Sequence, residues 1–572
     1  MRKLLAMLLA LAMVLALVPA CLAEGDALDP VTLTVFISDP GDLPTEDNKI
    51  YELIKEKFGV TFEFEYLAGN LDETLGLKIA NKDYADLFSG GNSADLIIQG
   101  GALINLLDYV SPEKTPRLWA HIEDQKARLI EKDADGNDVL YIIPNYGLAD
   151  GDQIVNSVGG PAFFIQKQVL AWAGYPQIKT LDDYFDVLEK FIDANPTDEN
   201  GANYIGFSIL CEDWRHFCLI NPVQHLMGRP NDGEVLIDPN TEDFHTETFI
   251  DKPYAKAYYK KLNEEFHKGL IEQDTFTDSY DAYIAKLSSG RVLGMFDQAW
   301  DFGTATSALL DAEMFKNTYV ALGLVYDEKD VEGIPMPTEG WTIEEHYVNG
   351  SLPNVRRGFG ISVNCECPER IVAMWEEMMS DEWQLLFNWG IEDEDYYIDD
   401  NGRLQMTEEQ YKNTQDAQWK LENKAEGLTG NSPKKQGYIL NDIQVGDKVV
   451  KAGNCWEPGN QPEIVFGLMN DYDKEFLAGY GYSKFADFVN PPIELAPYGE
   501  AWQIDYTPVD TEHTKFLQIQ DQRLPEMIMA DPSEFDALWD AFVAEIGPSA
   551  KAFGDYMQQA VYAEAQKVLS NQ

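Results

Sequence analysis

Leu33-Thr34-Val35-Phe36-Ile37, Thr61-Phe62-Glu63-Phe64-Glu65-Tyr66 and Asp86-Leu87-Phe88-Ser89-Gly90-Gly91-Asn92 decide the fold class. The first two alternate apolar and polar side chains as strands do, and the third runs from a short strand into a glycine turn. Between them lie two helical stretches. In one, Ile50, Leu53, Ile54 and Phe58 share a face that ends at Gly59, a residue free to take the left-handed backbone that stops a helix. The other covers Glu73 to Ala80. Strand, helix, strand, helix, strand implies parallel pairing with crossover helices, an α/β lobe.

A chain of 572 residues exceeds what one core fills, so a second lobe is expected. The texture changes at Tyr141-Ile142-Ile143-Pro144-Asn145-Tyr146-Gly147, and Pro161-Ala162-Phe163-Phe164-Ile165 begins a new strand. We read a first crossing there. A helix follows from Leu181 to Ile192, with Thr180 and Asp183 at capping-box spacing and Tyr184, Leu188 and Phe191 on one face. Tyr204 to Ile209 reads as another strand. Arg291 to Phe296 reads as a strand returning to the first lobe, and Gly358 to Val363 as a return to the second. The expected organisation is therefore lobe 1 at 30–147 plus about 291–350, lobe 2 at 148–290 plus about 355–530, and C-terminal helices at 531–572 that break near Gly547-Pro548. Two α/β lobes with discontinuous crossings imply a ligand cleft.

Residues 1–23 have the form of a secretory signal: Arg2 and Lys3, an apolar run from Leu4 to Val18, then small residues ending at Ala23. The run is shorter than a membrane span. Val18-Pro19-Ala20-Cys21 resembles a lipobox with lipidation at Cys21, except for its proline; ordinary cleavage after Ala23 fits as well. Either way the remainder works outside the cytoplasm, secreted or lipid-anchored to the outer face of the membrane.

Acidic residues number 98 against 43 basic, which argues against nucleic acid and anionic lipid as partners. The acidity serves solubility or offers a surface to a cationic ligand. Beyond Cys21, Cys211, Cys218, Cys365, Cys367 and Cys455 are too sparse for a disulfide framework or a zinc site, so neither metal nor cofactor is expected. Buried thiols are the expectation, with Cys211–Cys218 as the one pair that admits a bridge.

Four stretches carry a family resemblance: Tyr84 to Gly91 continued by Gly101 to Leu106; Leu140 to Tyr146; Gly358 to Cys365 with Pro368-Glu369-Arg370 and Ser380 to Ile391; and Pro532 to Trp539. In order and spacing the chain resembles the large extracellular solute-binding proteins of bacterial carbohydrate ABC transporters, of the long Gram-positive type that takes up oligosaccharides or polysaccharides. The resemblance implies a two-lobe periplasmic-binding-protein-like fold and a monomer with a central hinge. It further implies capture of a sugar and delivery to membrane permease subunits. Some relatives carry an EF-hand-like calcium loop; the matching stretch, Asp193 to Asn203, lacks the alternating ligands and following Glu, and reads as a turn.

A sugar site needs flat aromatic faces edged by hydrogen-bonding groups. Candidates near the implied cleft are Asp297, Trp300 and Asp301 after the returning strand; Asn145 and Tyr146 at the crossing; Asp213 and Trp214 after a second-lobe strand; Asn454, Trp456 and Glu457 in a Gly-, Pro- and Asn-rich loop; and Gly91 with Asn92 through backbone N–H groups. Core packing or a surface turn is the competing reading for each. Phe302, Trp375, Trp383, Trp389 and Trp539 read as core. A secreted glycosidase is the enzyme alternative, since paired carboxylates have no fixed spacing. Other chemistries lack support: there is no His-Glu-x-x-His, Gly-x-Ser-x-Gly or phosphate loop. A peptide or other non-sugar solute is the remaining alternative.

Overall fold

The structure is a computed structural model that describes residues 29–45, 47–145, 149–150, 154–327, 329–344, 354–425, 434–491 and 496–570. Residues 1–23, with Cys21, and Tyr146 lie outside the described residues. The strands that build the two main sheets are β1 (Val31–Ile37), β2 (Val60–Tyr66), β3 (Leu87–Phe88), β4 (Ile143–Pro144), β5 (Pro161–Gln166), β6 (Ile205–Ser208), β7 (Val292–Gln298), β8 (Tyr319–Leu322) and β9 (Gly358–Ile361). Helices used below are α1 (Lys49–Phe58), α2 (Leu71–Asn81), α3 (Leu181–Ala194), α4 (Pro253–Lys268), α5 (Pro368–Met378), α6 (Asp381–Trp389), α7 (Asp510–Met529) and α8 (Phe535–Leu569). The chain forms two compact units, residues 1–154 with 351–467 (unit 1) and 155–350 with 468–572 (unit 2).

In unit 1 the sheet order is β2-β1-β3-β9-β4. β1 pairs in parallel with β2 and β3, while β9 runs antiparallel to β3 and β4. Helix α1 starts where Asn48 Oδ1 accepts from the Ile50 and Tyr51 amides, and stops at Gly59 with φ 63°. Its Ile50, Ile54 and Phe58 pack with Leu33, Val35 and Val60 of the sheet and with Trp375 of α5 and Trp383 of α6. Ser380 sits at the α6 start, but its hydroxyl makes no capping bond.

In unit 2 the order is β8-β5-β7-β6, with β6, β7 and β8 running one way and β5 the other. Asp183 N donates to Thr180 Oγ1 at the start of α3, whose Tyr184, Phe185 and Leu188 join Phe163, Phe207 and Phe296 in the core. Helices α7 and α8 pack on α4 through Phe516, Phe535, Trp539 and Phe542.

The expected lobe boundaries need three corrections. β7, which contains most of the Arg291–Phe296 stretch, does not return to the first lobe; it is hydrogen-bonded between β5 and β6 in unit 2. β9 does not return to the second; it inserts between β3 and β4 in unit 1. There Gly360 is required, since a Cβ would lie 2.7 Å from the Tyr141 carbonyl oxygen. The C-terminal helices are part of the unit 2 core, and α8 runs through Gly547-Pro548 without the expected break. Its buried face (Phe542, Ile546, Ala550, Phe553) spans the proline, and that packing outweighs the cost of about 3 kcal/mol that a proline inside a helix brings.

All five later cysteines are free thiols, so Cys211 and Cys218 form no bridge. Phe302, Trp375, Trp383, Trp389 and Trp539 are buried, as expected of core. Asp193 and Ala194 end α3, and the turn that follows, residues 195–203, has Asp198 Oδ1 accepting from the Asn200 and Ala202 amides.

Candidate functional site

In open α/β sheets, ligands meet the ends where parallel strands finish, because loops there are free to vary above a rigid floor. In unit 2 the ends of β6 and β7 carry an aromatic platform. After β6 the chain turns at Asp213, exposed and held at φ 56°, into a 3-10 turn Asp213–His216. That turn presents Trp214; two residues past β7 the chain presents Trp300. The two indoles are stacked, with centroids 5.8 Å apart and planes 13° from parallel, and they remain 48% and 57% exposed. Phe217 stacks on Trp214 at 5.9 Å. Large aromatic faces left in water while packed against each other are poised for a ligand with an apolar face.

Polar groups fix this platform. Gln298 Oε1 accepts from Trp300 Nε1 at 2.9 Å. The Arg215 guanidinium lies 4.4 Å from the Trp214 ring centre and 3.9 Å from that of Tyr280, and its Nε donates to Asp301 Oδ1 at 3.0 Å. Tyr280 Oη donates to the Asp301 carbonyl at 2.6 Å. Burial raises the Asp301 carboxyl above its ordinary value, with Arg215 opposing. Its second oxygen is buried without a partner, so Asp301 braces the platform more than it reaches for a ligand.

Asp297 is a correction. It faces inward from β7 and is fully buried, where it accepts from Tyr283 Oη at 2.7 Å, from the Gln298 amide at 2.7 Å and from Cys218 Sγ at 3.6 Å. Burial, reinforced by the nearby Asp301 charge, pushes its carboxyl up to about 7. β7 is covered on both faces, so a residue inside the strand meets core whichever way it points.

In unit 1 the corresponding sheet end brings together Ser38 and Asp39 after β1, Ser89, Gly91 and Asn92 after β3, Asn145 after β4, and Arg357 before β9. Ser38 and Ser89 hydroxyls are 3.0 Å apart, Arg357 pairs with Asp39, and the Asn145 amide donates to the Arg357 carbonyl at 3.4 Å. Gly91 is buried at φ 54°, and a Cβ there would lie 2.6 Å from Ser38 Oγ; Asn92 next to it is exposed.

The remaining loop is a second correction. Asn454 is wholly buried and saturated: its Oδ1 accepts from Leu404 N and Gln461 Nε2, and its Nδ2 donates to the carbonyls of Gly402 and Lys451. Trp456 is 2% exposed, with Lys435 Nζ 4.9 Å from its ring centre. Glu457 is half-buried and held by Gln436 and Asn460, its carboxyl raised by burial. Asn454 satisfies backbone groups of Gly402, Leu404 and Lys451 that would otherwise be buried unpaired, which turns the supposed recognition loop into a packed one.

Thus the structure joins Trp214 with Trp300 and Asp301, and separately Gly91, Asn92 and Asn145. Arg215, Tyr280 and Gln298 belong to the platform and were missed. Arg215 could have been suspected from its place beside Trp214; Tyr280 and Gln298 join only through the fold.

No protein-family model matches the chain. A stretch of 259 residues is 26% identical to the fructooligosaccharide ABC transporter substrate-binding protein FusA of Streptococcus pneumoniae serotype 4, covering 42% of this chain and 45% of that protein. The chain thus spans less than half the length of this relative. Among solved structures, an extracellular solute-binding protein from Bifidobacterium longum subsp. infantis superposes with a TM-score of 0.60 at 14% identity, covering 94% of this chain and 98% of that one. FusA as an EF-hand mutant in complex with fructo-nystose superposes with a TM-score of 0.59 at 17% identity, covering 95% and 100%. Over nearly its whole length, then, the chain has the two-lobe α/β fold of the extracellular solute-binding proteins.

Proposed function

We propose that the protein is the extracellular substrate-binding component of an ABC importer, which captures a carbohydrate, an oligosaccharide, and delivers it unaltered to a membrane permease. The stacked, exposed Trp214–Trp300 pair at the strand ends of unit 2 carries this reading. Sugars offer apolar C–H faces that lie on aromatic rings, and hydroxyls that take bonds from groups at the rim. The likeness to FusA, a fructooligosaccharide-binding protein by name, supports the same class of ligand. No helix among the described residues is long and apolar enough to cross a membrane. On this reading the protein acts outside the cell as a monomer, secreted or lipid-anchored, and the ligand selects its closed form.

The glycosidase alternative would need two carboxyls facing a substrate. Burial raises the proton affinity of both Asp297 and Asp301, but Asp297 is buried in the core and Asp301 is braced by Arg215. Neither stands over the indoles as an acid would.

The test is a melting-temperature screen against neutral fructo-, gluco- and galacto-oligosaccharides and uronate oligomers. A ligand that binds only the native state raises the melting point with concentration. One saccharide class should do so, Trp214→Ala and Trp300→Ala should lose the shift, and chromatography should recover the sugar intact. Cleaved products, or no shift with any saccharide, would overturn the reading.

A further inference from the structure

Beside the platform, unit 2 holds a second, smaller feature. Pro161, Asn221, Gln224, His225, Arg229, Pro230 and Asn231 line a pocket of about 10 Å³, room for a single oxygen-sized group. Pro161 lies opposite Gln298 in the β5–β7 register, two residues before Trp300, so the pocket sits at the sheet end that carries the indoles. Asn221, Gln224 and Arg229 are each at most 5% exposed, while Pro230 and Asn231 at the rim are half-buried.

Four polar atoms on these three side chains are buried without a partner: Arg229 Nε and Nη2, Asn221 Oδ1 and Gln224 Oε1. The remaining Arg229 nitrogen, Nη1, donates to the carbonyls of Gly228 and Thr342 at 3.1 Å each, and the guanidinium lies 3.9 Å from the Trp341 ring centre. The amide orientations are set by backbone. Gln224 Nε2 donates to the Gly233 and Val235 carbonyls, which turns Oε1 away from them. Asn231 Oδ1 accepts from Gly233 N, so it faces Asn221 as an acceptor; Asn221 therefore gives it Nδ2 at 2.8 Å and keeps Oδ1 free. Buried groups left in this state are costly, and native proteins fill them.

The unpaired set is two donors beside two acceptors. A carboxylate or halide would meet the amide oxygens, and an ammonium would meet the guanidinium. Water, which accepts twice and donates twice, satisfies it in the free protein; an alcohol in a complex accepts from the guanidinium and donates to one of the two amide oxygens. The geometry points to a carbohydrate subsite that reads one hydroxyl of the ligand, accepting from Arg229 and donating to an amide oxygen of Asn221 or Gln224, in place of that water. This rests on the carbohydrate reading of the platform and adds to it a rule of selectivity. Stacking tolerates many sugars, whereas a pocket one oxygen wide distinguishes the hydroxyl that enters it from its absence.

The experiment is a cycle of protein variant against ligand variant, using the saccharide that gives the largest shift in the screen and its monodeoxy analogues. On the wild-type protein, one deoxy position should weaken binding about 10-fold or more, because it leaves buried groups unpaired, and the others much less. Arg229→Met, which keeps the apolar stem on Trp341, should bind the parent sugar about as weakly as the wild type binds that deoxy analogue, with no further loss on the analogue itself. Asn221→Ser provides the same comparison if Arg229→Met does not fold, and the deoxy series on the wild type needs no variant. Equal losses at every deoxy position, or a full loss retained in the folded variants, overturns the subsite. Binding without this coupling overturns the subsite alone; no binding of any saccharide overturns the receptor reading with it.

Discussion

Trp300 with Asp301 and Trp456 with Glu457 are alike as sequence: an indole next to a carboxylate, in a stretch where a strand has ended. In the folded protein they are opposites. Trp300 is 57% exposed, stacked on a second indole across the mouth of a sheet. Trp456 is 2% exposed, beneath a loop whose hydrogen bonds converge on Asn454. The difference lies in what each loop has beneath it. Past β7, a strand already paired on both sides by β5 and β6, Trp300 turns to solvent while Asp301 and Phe302 anchor the turn beneath it. Residues 453–456 instead pair through their backbone with residues 437–439, and the Asn454 side chain ties them to Gly402, Leu404 and Gln461, so Trp456 is covered.

The largest effect should come from Trp456→Ala. Removing a buried indole costs about 3–5 kcal/mol, so the melting point should fall steeply while the folded fraction binds the screened saccharide as before. Loss of binding with unchanged stability would reverse the assignment of the two loops. Trp300→Ala should behave the other way: about 2 kcal/mol of binding lost, a melting point within the small range of surface substitutions, both read by titration calorimetry and a thermal melt. Gly91→Ala probes the quieter sheet end of unit 1. With φ 54° and Ser38 Oγ in the path of a Cβ, it should lower stability by about 1–3 kcal/mol in denaturant titration.

The last effect is one of pH, and it separates Asp297 from the exposed indoles. Its folded carboxyl is raised to about 7, above the unfolded value near 3.9, so the folded state holds this proton more tightly. Stability from this group is therefore present below about pH 4 and lost as pH rises through about 7. Asp297→Asn cannot ionise, so its stability should fall less than that of the wild type between pH 4 and 8. Parallel curves for the two proteins would place that carboxyl in water.

Much of the fold was legible locally. Alternation in β1 and β2, the Gly59 stop of α1 and the helical spacing in α3 each report on a few neighbours, and all three formed. The destination of β7 and β9 was not legible. A buried strand is a run of apolar residues whichever sheet receives it, and what chose the sheet was distant: Phe163 and Ile165 for β7, the approach of Tyr141 to Gly360 for β9. The site divides in the same way. Trp214 and Trp300 could be named as flat side chains after strands. That they stack, and that Arg215 and Tyr280 brace them, depends on segments 65 to 86 residues apart in the chain.

The order of amino acids by itself determined an acidic α/β protein with two cores, its helix ends, and a short roll of aromatic and amide side chains fit for a sugar, because periodicity, capping and charge act over a few residues. Tertiary structure alone decided which strands share a sheet, which indoles face water, and which amides are left with unpaired atoms in a pocket. Those outcomes depend on close packing and hydrogen-bond satisfaction between residues far apart in the chain.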